Sequence, residues 1–419
     1  MSETSLTQAL LSKTELLYAS DGMLTEFCAV VTEAGICDDG RYYAMTDRTA
    51  FFPGGGGQQA DTGMFLSSND DRICVTEVFS DNGRIFHITE RELKAGEKVR
   101  GIVNADVRYR RMQIHGAEHI ISGLIHSTFG YDNSGFHMSD DIAVFDVNGP
   151  LSAGQISDIE MRANKAVFEN RPITISFPDP KEARELSYRS KLDTYENIRL
   201  VTIEGTDVCA CCAPHVASTG QLGVIKIIDH MPHRGGTRMT LTAGMSAYED
   251  YTALHCSNAQ IMEALSSKRE MTAIAVRALV DRQQAQREEI AGLKRAVAKA
   301  KTAEVINRIE RRPPADDGPE LIFSDTLDIV GLRDLVNECT KVFSGIVCAF
   351  LAADDGFKYI FAVCAQNADN ADLPAFTADF NKNCGGKGGG SPVMAQGSTT
   401  ADRDTIEAYL NNVGKKRRI

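Results

Sequence analysis

Over residues 14–103 apolar and polar positions alternate with a period of two in five runs: EFCAVVTEAG, RYYAMT, ICVTEVF, RIFHIT and KVRGIVN. The turn signals SDG, DDG, SNDD and SDNG separate them, so residues 1–103 are expected to form a β-barrel-like domain. TAFFPGGGGQQADTG interrupts the pattern with four consecutive glycines, which let a backbone approach a partner closely. After Asp106 the pattern turns helical through RYRRMQIHGAEHIISGLIHSTFG, and Gly130 stops it. IAVFDV, ISDIEMRANKAVFENRP and ITISF then read as strand, helix and strand, and residues 199–244 return to strands around an HRGG turn. Residues 104–246 are therefore taken as one α/β unit.

From Ala247 to Arg312 there is no proline, and Gly292 is the only glycine. Ile290, Leu293, Val297 and Ala300 keep three-four spacing, which predicts a helical arm over 247–315, as an antiparallel hairpin or a coiled coil. RRPPADDGPE reads as a linker. LIFSDTL, SGIVCAFLAA and KYIFAVCA alternate with helical VGLRDLVNECTKVF and LPAFTADFNKNC, giving a C-terminal α/β domain over 316–419. The expected fold class is α+β and multidomain.

Composition changes this picture little. Of the 419 residues 43% are hydrophobic and 24% charged, the usage of a globular protein, and the length suits two to four cores. No run approaches the roughly 20 apolar residues of a membrane span. MSETSLTQALLSKTE lacks the basic-then-apolar order of a signal peptide, so a cytoplasmic location is expected. Charge is more telling. A net −12 argues against indiscriminate nucleic-acid binding, yet residues 265–312 hold twelve basic side chains against six acids. By itself such a run is usually a solvated helix face.

The chemistry gathers at two places. His115 and His119 lie four apart on a predicted helix, so both imidazoles leave one face about a turn apart and can share an ion. Cys211 and His215 repeat the spacing downstream in CACCAPHVASTG, and one thiolate with three imidazoles suits tetrahedral Zn²⁺. Two alternatives stay open: the histidines as satisfied core residues, or a metal held by Cys209, Cys211 and Cys212. HGAEH is not the zinc-protease pattern, because the glutamate precedes the second histidine. Eleven cysteines, an odd number without framework spacing, point to thiols and a metal rather than to disulfides.

Four motifs occur in the order of a known family. TAFFPGGGGQQADTG resembles the glycine-rich motif of the editing domain of alanyl-tRNA synthetases and their free-standing AlaX relatives. RRMQIHGAEHIISGL resembles their HxxxH helix, and CCAPHVASTGQLGVIKI their CGGTHVxxTGEIGxFKI element. CGGKGGGSPVMAQG is similar to the motif of the C-terminal domain shared with DHH-type phosphoesterases, although the chain has no DHH triplet. The chain is identified as a member of the large-type AlaX proteins. Cys212, Ala213 and Pro214 depart from the usual Gly-Gly-Thr, Gly54 stands where a larger residue is common, and Gln59 replaces a frequent proline.

This resemblance implies one Zn²⁺ on His115, His119, Cys211 and His215. It puts Thr49, Gly55, Gly56, Gly57, Gln58, Asp61 and His137 at the substrate pocket. The implied activity is hydrolysis of the ester joining serine or glycine to tRNA(Ala), because binding alone cannot reject such small side chains strongly enough. Arg108, Arg110 and Arg111 are the residues expected at the acceptor end. Lys294, Arg295 and Lys299 on the arm, and Lys387, Gly388, Gly389 and Gly390 in the C-terminal domain, would grip the tRNA body. A homodimer is expected. The rivals are a tRNA-binding module with structural zinc and no editing activity, and a DHH-related phosphodiesterase.

Overall fold

A computed structural model describes residues 14–190, 194–313 and 318–416. Most of the N-terminal MSETSLTQALLSKTE, part of the RRPPADDGPE linker and the last residues of KKRRI lie outside them. The fold is α+β, and the chain divides into two compact units between Gln260 and Ile261.

In the first unit the alternating runs become β1 (Glu26–Ile36), β2 (Tyr42–Thr46), β4 (Arg72–Asp81), β5 (Arg84–Thr89) and β6 (Lys98–Val103). A sixth strand, β3 (Gly63–Ser67), is not among the predicted runs, because its consecutive Met64, Phe65 and Leu66 do not alternate. It is the strand that closes the barrel, in the order β1-β2-β5-β4-β3-β6. Closure leaves no unpaired edge. Phe27, Val31, Phe51, Phe65, Ile73, Val75 and Val99 fill the interior.

Helix α1 (Ala105–Phe129) starts where the Asn104 side chain accepts from Val107 N, and ends at Gly130, whose φ of 71° is left-handed. Every residue from Arg111 to Gly123 is buried, so α1 is a central helix rather than an amphipathic surface one. Around it lie β7 (Asn133–Met138), β8 (Ala143–Val147), α2 (Ala153–Phe168), β9 (Ile173–Ser176), β10 (Leu200–Ile203), β11 (Asp207–Ala210), β12 (Ile225–His233) and β13 (Gly236–Ala243). They form a four-stranded sheet, β12-β13-β8-β7, and a three-stranded one, β9-β10-β11. Ile114, Ile121 and Ile125 of α1 join Phe145, Met239 and Leu241 in one core.

The barrel and α1 are tied by a buried ion pair. Arg108 Nε lies 3.0 Å from both Asp61 oxygens, while Nη1 and Nη2 donate to the carbonyls of Gly22 and Ala50. Arg108 is 0% and Asp61 1% exposed. The two were expected at substrate and tRNA surfaces; the structure instead buries them against each other.

The predicted arm is two helices, α3 (Gly244–Leu265) and α4 (Thr272–Glu310), because Ser266 takes a left-handed φ of 49° between them. Ile290, Leu293 and Val297 are exposed, and only the last turns of α4 enter a core, through Val305 and Ile309 against Leu332 and Leu335. In the second unit β14 (Glu320–Ser324), β15 (Val347–Ala353), β16 (Gly356–Ala362), β17 (Gly386–Gly390) and β18 (Met394–Thr399) pair in the order β14-β15-β16-β18-β17. Lys387, Gly388, Gly389 and Gly390 thus lie exposed on an edge strand. Among the described residues no helix is long and apolar enough to cross a membrane.

Candidate metal centre

One turn of α1 separates His115 from His119, and their rings stack with centroids 5.1 Å apart. Cys211 follows β11 directly, and His215 lies in the loop beyond it. Arg199 holds that loop in place: its backbone carbonyl accepts from Cys211 N at 3.1 Å, and its Nη1 donates to the Cys211 carbonyl at 2.6 Å. Its Nε donates to the Ala19 carbonyl at 2.8 Å.

Cys211 Sγ is 3.6 Å from His115 Nε2 and 3.4 Å from His215 Nε2, and the donor atoms of all four residues lie within 4.8 Å of one another. A tetrahedral zinc with the usual Zn–S and Zn–N lengths has S···N edges of about 3.5 Å, so the spacing fits that ion. Hydrogen bonds on the far side of two rings orient them. His115 Nδ1 lies 2.7 Å from Gln58 Oε1 and His119 Nδ1 lies 3.2 Å from Asp207 Oδ2. Both acceptors place the ring proton on Nδ1 and leave Nε2 facing the cluster. His119 Nε2 is buried and has no hydrogen-bond partner among the described residues, the kind of orphaned atom that a bound ion would satisfy.

Electrostatics suits the same chemistry. Burial by itself raises the Cys211 thiol, but His115 and His215 beside it more than offset this and hold it well below the usual thiol range. Burial pushes His215 down to about 3, leaving a neutral imidazole with a free lone pair. Burial also lowers His119, yet the Asp207 carboxylate on Nδ1 overcomes it and holds the imidazole well above its ordinary value. An ion binding there displaces a proton.

The cluster borders a cavity of about 920 Å³ lined by Gly56, His115, His119, Phe136, Cys209 and Cys212 among others. Gln58 arrives through a tight turn in which Gly55 and Gln58 exchange backbone hydrogen bonds of 3.0 Å. Gly57 takes φ +88°, and a β-carbon on it would stand 2.5 Å from Phe136 Cδ1 and 2.8 Å from the Phe136 carbonyl oxygen. At Gly56, φ +60°, the nearest atom is Cys212 Sγ at 3.9 Å. Gly56→Ala is therefore expected to cost about 1–2 kcal/mol for backbone strain alone, and Gly57→Ala distinctly more. Thermal melts of the two variants check the order; equal melting temperatures would refute it.

Other expected site residues are placed elsewhere. His137 is exposed and outside the cavity lining, whereas its neighbour Phe136 lies 5.1 Å from the His115 ring, because successive strand residues point to opposite faces. Thr49 is fully buried in the barrel, its hydroxyl 2.8 Å from His87 Nε2. Arg111 is buried on Asp140 and the Ala60 carbonyl, and Arg110 is clamped by both oxygens of Glu249. Lys294, Arg295 and Lys299 are exposed, Lys294 within 3.2 Å of Asp328.

The sequence is similar to those of known proteins. A family described as "Threonyl and Alanyl tRNA synthetase second additional domain" matches residues 198–239, which include Cys211 and His215, and "tRNA synthetases class II (A)" matches residues 14–107. The alanyl-tRNA editing protein AlaX-M of Methanosarcina acetivorans is 37% identical over 229 residues, covering 51% of this chain and 92% of that protein. The chain belongs to the AlaX family of alanyl-tRNA editing proteins. AlaX-L of Pyrococcus horikoshii is 34% identical over 219 residues, 51% of this chain and 54% of that protein. The alanine–tRNA ligase of Ignicoccus hospitalis is 30% identical over 341 residues, covering 79% of this chain and 36% of the ligase. This chain thus spans about half of AlaX-L and about a third of the ligase.

In this AlaX chain the sequence motifs did not reveal Asp207, Arg189, Arg199 or Phe136. A signal for one of them was present: Asp207 and Cys209 alternate along one strand, so their side chains share a face, and Cys211 follows two positions on.

Proposed function

We propose that this chain hydrolyses the ester of tRNA(Ala) mischarged with serine or glycine, acting in trans, with one Zn²⁺ held by His115, His119, Cys211 and His215. The observation that carries this is the convergence of those four donors, three of which, His115, His119 and Cys211, line a cavity large enough for an aminoacylated adenosine. Kinship with alanyl-tRNA editing proteins supports it. When bound, zinc would supply a Lewis acid beside the ester.

The chain's own groups do the rest. Backbone amides of Gly56 and Gly57, in the turn that Gly55 and Gln58 close, hold the terminal nucleotide or the developing oxyanion. Phe136 gives the aminoacyl group an apolar wall. A serine hydroxyl is distinguished from alanine by polar partners that alanine would leave unsatisfied, at about 1–3 kcal/mol each. Deacylation of Ser-, Gly- and Ala-tRNA(Ala) before and after chelation tests the proposal: serine or glycine is expected to be lost quickly, alanine slowly, and chelation to stop the reaction.

A second reading follows from the ligand count. Four protein donors close a tetrahedron, the coordination of structural zinc, which fits a tRNA-binding module without hydrolysis. Stable Ser-tRNA(Ala) bound tightly by the protein would favour it.

Under either reading the partners are tRNA(Ala) and a second copy of the chain. The exposed cations Lys294, Arg295 and Lys299 would meet phosphates. Changing all three to glutamate is expected to weaken binding of every tRNA alike and to flatten the salt dependence by roughly 2–3 in log–log slope. Unchanged slopes in filter binding would remove them from the interface.

A further inference from the structure

Among the described residues of the first unit, two overlapping groups of donors could hold an ion. Beside the cluster of His115, His119, Cys211 and His215, a second group joins His119, Asp207 and Cys209, also within 4.8 Å of one another. Hydrogen bonding distinguishes them. Arg189 forks onto the carboxylate, Nε to Asp207 Oδ1 at 2.8 Å and Nη2 to Oδ2 at 2.7 Å, and Oδ2 also faces His119 Nδ1. Asp207 is 3% exposed in its side chain and its charge is matched by the guanidinium. Both of its oxygens are engaged, and a cation placed on them would meet Arg189. The second group is thus poorly suited to hold metal itself.

We propose that Asp207 is a positioning residue, held by Arg189, that presents His119 Nε2 to the metal of the four-residue cluster. The proposal rests on the metal reading above. Two features of the fold serve this arrangement. Gly123, one turn beyond His119 on α1, has no side chain where a β-carbon would stand 2.7 Å from Asp207 Cβ and 2.8 Å from the Thr206 carbonyl oxygen, so β11 can approach the helix. Arg189 is anchored alongside β11 by backbone bonds, its N–H to the Val208 carbonyl at 2.8 Å and its carbonyl from Ala210 N at 2.9 Å. The segment bearing Arg189 also lines the cavity, so the contact joins the cavity wall to a metal ligand.

The test is metal affinity of the full chain, by chelator competition for Zn²⁺ and Co²⁺, with the cobalt spectrum as a coordination readout. Asp207→Asn is expected to bind roughly 10–100-fold more weakly while keeping the tetrahedral spectrum and its single-thiolate charge-transfer band. Arg189→Lys, which keeps the charge but loses the fork, is expected to fall between the two. Cys209→Ser is expected to match the unaltered chain. An Asp207→Asn affinity within twofold of the unaltered chain overturns the proposal. So does loss of the thiolate band in Cys209→Ser, or a changed ligand field in Asp207→Asn, either of which makes the second group the metal site. Melting of the metal-free variants separates a folding defect from a binding one, and if metal-free Asp207→Asn does not fold, Arg189→Lys decides by the same criterion. Metal bound normally without any Ser-tRNA(Ala) hydrolysis would defeat the hydrolase reading and leave the role of Asp207 standing.

Discussion

Replacing His119 or Cys211 with alanine is expected to remove the metal and the hydrolysis of Ser-tRNA(Ala) together. Four-donor zinc sites bind with apparent free energies of about 10–16 kcal/mol, so losing one donor weakens the site by roughly 3 kcal/mol, or more than a hundredfold. His119→Ala has a further consequence, because the Asp207 oxygen that faced Nδ1 loses its partner. Cys211→Ala removes the one anionic donor and leaves three neutral imidazoles, which hold a dication less well. Cys212→Ala is the control. The residue is exposed and outside both donor groups, so metal content is expected to stay at one per chain. Elemental analysis alongside single-turnover deacylation checks all three variants. Metal lost with hydrolysis retained would show that the ion only supports the fold.

Arg108→Met is expected to destabilise the first unit by about 3–5 kcal/mol, a large part of the stability of an ordinary domain. The substitution leaves the Asp61 carboxylate, 1% exposed, without its cation, although Phe52 N still donates to it at 2.7 Å. Asp61→Asn is expected to cost a similar amount by stranding the guanidinium. Replacing both with apolar residues should recover much of the loss, because the two changes act on one interaction. Urea unfolding of the two single variants and the double variant measures this; a loss below about 1 kcal/mol in Arg108→Met would mean that the pair contributes little. Since Asp61 follows Gln58 by three residues, the looser junction should also weaken the hold of Gln58 on His115.

The contrast between Arg108 and Lys294 shows where sequence reasoning reached its limit. Each is a cation in a helix, and a local pattern does not reveal that one helix is surrounded by protein and the other is open to solvent. Burial of α1 on all sides depends on the barrel, the two sheets and α2, which come from distant parts of the chain. For the same reason β3 was missed: Met64, Phe65 and Leu66 give no alternation, and the strand is decided by the two strands that flank it. His137 and Phe136 differ by one position, and only the register of β7 against β8 decides which one faces His115.

The sequence by itself determined the periodicities that make the barrel strands and the helices, the four-residue spacing that puts His115 beside His119, and the motif order of the family. These depend on neighbours within a turn or a strand, where local geometry is nearly fixed. Tertiary structure alone decided that Cys211 and His215 reach those histidines, that Gln58 and Asp207 set their ring protons, and that Arg108 and Arg111 are buried. Each of these pairs residues from separate segments, and the distance between such residues depends on how whole elements pack rather than on any pattern along the chain.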